Sequence, residues 1–558
     1  MANTRFRKWS SLVAMILSVA MLWGCSNDSS SAPTTSNSDS ESPSSTSMKD
    51  VTLNVLINWN GSEALGPKDP INNSVAKVIK EKTGVTLNLQ YAKMDEAQQL
   101  NTIFATQELP DIVASPAWVF EPLAKAAKEN QIMELTDIFK EYPLLATNAD
   151  PDHTPAGSQE NLFDVVPGKK FFMYGGYPAT PDDLTDWLYG FYVRKDIAEK
   201  TGIDPTTVHT PDDLYTFLKT IKDLDLKQDG KTIFPLGSFQ GGWWLQYANK
   251  MFTNNNADYN WASGSPEYQF MSDKYTEQTL YLRKLISEGL IDPEAFTQTA
   301  AVATEKVSQG RYATLSAHFY HLYDATRSFV SGHPDSEYVP VGPLNNMNGD
   351  PNKAVAVPTG SNAVFLTKNC SDPEAAARVL AFLASDEGWL LTHYGVEGVH
   401  YDMVDGKPVA KKEWLDKEVA APGTLKDEGF GTNLVYSYLA GQDRTVSKFG
   451  GPFGWQTDKK FQMVQDVKKV LRPNGLELLR GYDPGQLALQ FPGYEKLKPV
   501  LDQISQISSQ AIFAKSDEAA KKLLDDARKE LEKAGIHDLE KFLDEQSKQK
   551  EIVKDLNA

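Results

Sequence analysis

Cysteine is nearly absent: 558 residues contain only Cys25 and Cys370, so at most one disulfide can form and the fold must rest on its hydrophobic cores. Histidine is scarce as well, with eight in all. The closest pair in the chain's middle, His318 and His321, could share a helix face, but no cysteine lies nearby, and a structural role outweighs a zinc site. Basic residues are outnumbered, 56 against 74 acids, giving a formal charge of −18. That balance disfavours nucleic acid, whose affinity comes from lysine and arginine on phosphates. It does not exclude a local basic cleft on an acidic surface. Beyond residue 22 no apolar run approaches the roughly 20 residues of a membrane-spanning helix. Nucleophile and metalloprotease signatures are missing: there is no Gly-x-Ser-x-Gly, no His-Glu-x-x-His and no Cys–His nucleophile context. Gly230-Lys231-Thr232 does not make a phosphate loop, because Asp225 stands where the leading glycine is needed. About 510 residues remain after the leader and linker described next, too many for one simple core, so two or more domains are expected.

What is present begins with an export signal. Arg5, Arg7 and Lys8 precede a short apolar core, Ser11 to Leu22, and then small residues. Leu22-Trp23-Gly24-Cys25 resembles the lipobox of bacterial lipoproteins, although Trp23 stands where that family prefers a small residue. The resemblance implies cleavage after residue 24, lipidation (palmitate) of Cys25 and anchoring on the extracellular face of the cell membrane, in a Gram-positive bacterium. Cys370 is then left without a partner. Loss of Arg5, Arg7 and Lys8 makes the mature chain three charges more negative. Residues 25–49 are rich in Ser, Thr, Asn, Asp and Pro and cannot bury enough surface to offset their ordering entropy, so a disordered tether is expected.

From Val51 the periodicity switches repeatedly. Val51–Ile57 alternates as a strand; Asn72–Thr83 reads as a helix stopped by Gly84; Val85–Tyr91 is a second strand. Asp95 caps a helix to about Gln107, and Leu109–Val113 reads as a buried strand. This alternation predicts a parallel sheet flanked by helices, with ligands at the strands' carboxyl ends, where Trp59, Asn60 and Ser115–Trp118 fall. Residues 150–176 hold Pro and Gly without a long element and could cross between lobes. Further on, Tyr189–Val193 and Tyr312–Leu315 read as strands and Thr210-Pro211-Asp212-Asp213 opens a helix. Ala363–Leu366 is a strand, Pro373–Leu383 a helix, and two amphipathic helices close the chain around Gly535.

Several stretches together resemble the extracellular solute-binding proteins of carbohydrate ABC importers. They are Lys82-Thr83-Gly84-Val85, Glu108-Leu109-Pro110-Asp111-Ile112, Tyr192-Val193-Arg194-Lys195-Asp196, Ser308-Gln309-Gly310-Arg311-Tyr312-Ala313 and Ser385-Asp386-Glu387-Gly388. Tyr394 to Tyr401 with Asp405-Gly406-Lys407-Pro408 is similar to the LplA-type lipoprotein subgroup. The resemblance implies a two-lobe periplasmic-binding-protein-like α/β fold (type II) with a hinge and a helical C-terminal extension. Its boundaries are expected as 1–24 signal, 25–49 linker, 50–165 first lobe, 166–350 second lobe, 351–410 return to the first, and 411–558 completing the second lobe and hinge. It implies a monomer that binds a mono- or oligosaccharide, needs no cofactor, catalyses nothing and serves ABC permease subunits.

That subgroup often carries an acidic calcium loop. Here Asp223 to Gly230 places Lys227 at a ligand position and has no closing acid before Pro235, so no metal is expected. Ligand candidates are aromatic platforms and hydroxyl-bonding groups. Trp243 and Trp244 after Gly241-Gly242 are foremost, one stacking on ligand and the other filling core. Trp59, Trp118, Trp187, Trp261 and Tyr320 follow, residues that more often serve as core than as ligand platforms, with Asn60 beside Trp59. Glu397 and His400 sit in a glycine-rich turn that they could fix instead of bonding hydroxyls. Two other readings stand beside transport: an exported carbohydrate-active enzyme, hydrolase or lyase, and a sugar receptor for a sensor kinase.

Overall fold

The computed structural model describes residues 49–146, 165–166, 168–175, 188–238, 245, 259–260, 266–345, 354–356, 362–431, 435–439, 448–449, 453, 459–471, 476–478 and 487–548. The leader, Cys25 and the linker therefore lie outside the described residues. In chain order the strands of the two main sheets are β1 (Val51–Ile57), β2 (Val85–Tyr91), β3 (Ile112–Pro116), β4 (Met173–Gly175), β5 (Tyr189–Arg194), β6 (Phe234–Ser238), β7 (Tyr312–His318), β8 (Tyr338–Val341) and β9 (Asn362–Leu366).

The first sheet has the order β2-β1-β3-β9-β4, with β1 parallel to both β2 and β3 and β9 antiparallel to β3. Successive side chains point to opposite faces, and both faces are buried. Leu53, Val55 and Ile57 join one cluster with Val364 and Leu366, while Leu56, Val113, Ala363 and Phe365 join another on the far side. The crossover helices start and stop as polar chemistry dictates. Asn73 accepts the Ala76 N–H to open Ser74–Thr83, and Gly84 closes it at φ 70°, a left-handed turn that favours glycine. The predicted strand at Leu109–Val113 is displaced to Ile112–Pro116. Asp111 explains the shift: its Oδ2 accepts the Asn54 N–H at 2.7 Å and its Oδ1 the Ser371 N–H at 2.6 Å, so a side chain occupies the last step before the ladder.

The second sheet, β8-β5-β7-β6, pairs β6 parallel and β5 antiparallel to β7. Phe191, Val193, Leu236 and Ala313 face one cluster; Tyr192, Tyr312, Leu315 and Ala317 face the other. The helix Pro211–Asp223 opens with a reciprocal cap, in which Thr210 Oγ1 accepts the Asp213 N–H at 3.1 Å and Asp213 Oδ2 accepts the Thr210 N–H at 3.0 Å.

A third core is wholly helical. Tyr494–Ile512, Asp517–Ala534 and Ile536–Ser547 bury Leu497, Ile504, Leu524, Leu531 and Leu539 together with Phe270. The stretch 411–558, expected in the second lobe and hinge, is divided. Trp414, Leu425, Phe430, Tyr436 and Leu439 pack on the first sheet's cluster, whereas Val464 and Val467 pack on the second's.

Candidate functional site

β1 and β3 run parallel, so Ile57 and Ala114 lie in register and the residues just past them emerge at one end of the first sheet. β9 runs the other way, which brings its first residue, Asn362, opposite Pro116 at that same end. There Asn58 is fully buried, its N–H donating to the Ala114 carbonyl at 2.8 Å. Its Nδ2 donates to Ser115 Oγ at 3.0 Å and to the Glu96 carbonyl at 3.1 Å. Asn60 is exposed, and its N–H donates to Glu96 Oε1 at 3.0 Å.

Between these polar groups the rings of Trp59, Trp118 and Tyr438 assemble. Trp59 stacks on Tyr438 with centroids 4.9 Å apart and planes 13° from parallel, and Trp118 meets Trp59 edge-on at 4.8 Å and 88°. Such pairs contribute about 0.5–1.5 kcal/mol each beyond burial, yet Trp118 remains 54% exposed. The site also keeps polar atoms without partners: Asn58 Oδ1, Trp59 Nε1 and Asn362 Oδ1 are all buried and unbonded. Each such atom costs on the order of 1–3 kcal/mol while it stays unmatched. The exposed Trp118 ring beside Trp59 suits a ligand with apolar C–H faces, and the exposed Asn60 one with hydroxyl edges.

The second sheet offers a corresponding end. β6 and β7 are parallel, with Ser238 in register with Ser316, and Ser238 Oγ is buried without a partner. Its backbone carbonyl is held by Gln298 Nε2 at 2.7 Å. Gln298 Nε2 in turn lies 3.1 Å from the Tyr312 hydroxyl, which donates to Asp292 Oδ2 at 2.6 Å; Lys306 Nζ sits 2.6 Å from the same oxygen. This network fixes where β6 ends.

Of the sequence candidates, Trp59, Asn60 and Trp118 come together. Tyr320 lies in the helix Phe319–Gly332 that directly follows β7. Trp187, Trp243, Trp244 and Trp261 lie outside the described residues. Glu397 is exposed. His400 is 1% exposed, its ring between Trp414 at 4.4 Å and Phe430 at 4.5 Å, and its Nδ1 accepts the Val396 N–H at 2.8 Å. Burial pushes this imidazole down to about 4, the chemistry of a neutral ring that pins a turn.

Sequence reading missed Asn58, Glu96, Asn362 and Tyr438. Asn58 and Glu96 were within reach of the strand-end argument; nothing local marks Tyr438 or Asn362. Among the described residues no three His, Cys, Asp or Glu side chains group as a metal site, and no helix is long and apolar enough to cross a membrane. At the acidic loop, Lys227–Gln228 pairs with Lys231–Thr232 as a short hairpin.

Comparison with known proteins places this geometry. The family profile described as bacterial extracellular solute-binding protein matches residues 68–388, more than half of the chain. The polygalacturonan/rhamnogalacturonan-binding protein YtcQ of Bacillus subtilis is 23% identical over 368 residues, covering 62% of this chain and 66% of YtcQ. The fructooligosaccharide ABC transporter substrate-binding protein FusA of Streptococcus pneumoniae is 24% identical over 253 residues, 42% of this chain and 44% of FusA. Lipoprotein LipO of B. subtilis is 25% identical over 422 residues, 72% of this chain and 74% of LipO. The match thus spans just under two thirds of YtcQ and under half of FusA. A crystal structure of a FusA EF-hand mutant with fructo-nystose superposes with a TM-score of 0.66 at 18% identity, covering 89% of this chain and 100% of the other. That likeness establishes the fold, two α/β lobes of the periplasmic-binding-protein kind. The chain belongs to the bacterial extracellular solute-binding protein family.

Proposed function

We propose that this protein captures a sugar or oligosaccharide between its two lobes and delivers it unaltered to the permease of an ABC transporter. The observation that carries this reading is the ring cluster of Trp59, Trp118 and Tyr438 at the carboxyl ends of the first sheet, with Trp118 more than half exposed. Rings cover the C–H faces of a sugar, and exposed polar groups at the strand end, such as Asn60, can bond its hydroxyls. The names of YtcQ and FusA, both tied to saccharides, support that ligand class. The second lobe would contribute Ser238 and, from the sequence, Trp187, Trp243, Trp244, Trp261 and Tyr320. A ligand that bonds both lobes binds the closed form more tightly, and that difference sets the population shift. Such a protein performs no reaction and acts as a monomer. Lipidation at Cys25 would hold it on the outer face of the membrane, and the lipoprotein name of LipO supports that.

The test is a thermal-shift and tryptophan-fluorescence screen of the full chain against mono- and oligosaccharides, with chromatography of the recovered sugar. A stabilising sugar returned whole supports the reading. A sugar returned in fragments makes the protein an enzyme, and retained sugar uptake in a deletion strain removes the transport role.

A further inference from the structure

We infer that Glu121 and Lys498 form a reversible latch between the lobes, one that biases how they stand relative to each other before any ligand arrives. Glu121 lies in the first turn of the helix Phe120–Lys128, which begins just after Trp118 and packs Leu123, Ala126 and Ala127 on the first sheet. Lys498 lies on the helix Tyr494–Ile512, beside Leu497, which is fully buried in the helical core. That core is fixed to the second lobe. Ile512 joins the second sheet's cluster, together with Leu282 and Leu285 of the helix Asp273–Ser287. Arg283 of the same helix donates from Nε to Asp517 Oδ1 at 2.7 Å, and the Phe513 ring meets Phe296 edge-on at 5.2 Å and 86°. Lys498 Nζ nevertheless stands 3.4 Å from Glu121 Oε2, so one ion pair spans two bodies that have separate cores.

Each member of the pair keeps an alternative when the lobes part. Lys498 Nζ also lies 2.8 Å from Asp502 Oδ2, one turn on in the same helix, so separation leaves its charge matched. Glu121 sits where the dipole at a helix N-terminus favours an acid. Both side chains reach solvent, Lys498 at 28% and Glu121 at 57% exposure, so opening strands no desolvated charge as it would in a buried pair. A pair of this kind shifts an equilibrium by about two- to fivefold. That is enough to set the resting populations of the lobes and too little to withstand a ligand that bonds both. Glu121 and Asp502 compete for one cation and so act in opposite senses. Glu121 holds the lobes as they stand in this structure, and Asp502 draws Lys498 back to its own helix.

The experiment uses the full chain without sugar, so its outcome is separate from that of the sugar-binding reading. A water-soluble carbodiimide condenses a carboxylate with an amine where the two touch, and mass spectrometry reads the Glu121–Lys498 amide. Its yield should fall in roughly 1 M salt, where the screening length drops to about 3 Å. Small-angle scattering of Glu121→Gln and of Asp502→Asn should move the radius of gyration in opposite directions, each by a change of about two- to fivefold in the ratio of lobe arrangements. High salt should take the wild type toward Glu121→Gln. Melting temperatures should stay near the wild-type value in both variants, because neither residue is buried. A missing cross-link, a yield indifferent to salt, or radii that shift together or not at all would overturn the inference.

Discussion

Two buried imidazoles make the first lobe sensitive to mild acid. His393 is 8% exposed, lies 4.0 Å from the Trp389 ring at 10°, and donates from Nδ1 to the Trp389 carbonyl at 2.9 Å. His400 uses its Nδ1 the other way, accepting the Val396 N–H, which only a neutral ring can do. Burial pushes each down to about 4, against about 6.5 in an unfolded chain. The unfolded state therefore binds protons first as pH falls. Stability contributed by these rings is complete above about pH 6.5 and is lost as pH drops toward 4. Each ring's loss steepens toward about 1.4 kcal/mol per pH unit as the unfolded imidazole protonates, so the pair costs about 3 kcal/mol between pH 6.5 and 5. For a lobe of this size that lowers the melting temperature by roughly 6–12 °C. Most carboxylates titrate near 4, leaving this window to histidine. Thermal melts at half-unit steps from pH 7 to 5 read the effect. His400→Gln, whose amide can still accept from Val396, should halve the slope. A wild-type melting temperature flat across that range, or an undiminished slope in the variant, would refute the reasoning.

Three further outcomes follow from the contacts. Trp118→Ala removes a half-exposed ring, so it should leave the melting temperature nearly unchanged while weakening the bound sugar at least about tenfold by calorimetry. Asp292→Ala removes the buried partner of Lys306 and one of the two acceptors of the Tyr312 hydroxyl, which keeps Gln298 Oε1 at 3.2 Å; it should cost about 3 kcal/mol in urea unfolding, with Glu294, 2.7 Å from Lys306 Nζ, also softening the loss. Chelation should not matter: melting temperatures in EDTA and in calcium should coincide, since Lys227 occupies a ligand position in the acidic loop, and a calcium-dependent rise would contradict that.

Much of the first lobe could be read directly from residues. The alternation in Val51–Ile57, the Asp95 cap and the Gly84 stop are local signals, and they set the elements within a residue or two. The third strand slipped by three residues because Asp111 acts through partners distant in sequence. The helix Tyr494–Ile512 escaped notice because Pro499 lies inside it and reads as a break. That Trp59 and Trp118 lie together was legible because both fall just past strand ends on one side of the sheet. Tyr438 was not, since it reaches Trp59 from far along the chain, and neither was the role of Asn58, which depends on which of its amide atoms are already taken. His400 in sequence is a residue of a glycine-rich turn; only its contacts reveal the Trp414 and Phe430 rings around it.

Small-angle scattering of the full chain with and without a saturating oligosaccharide probes the account most directly. Lobes that shut on the sugar should reduce the radius of gyration in step with occupancy. An unchanged radius at full occupancy would contradict it.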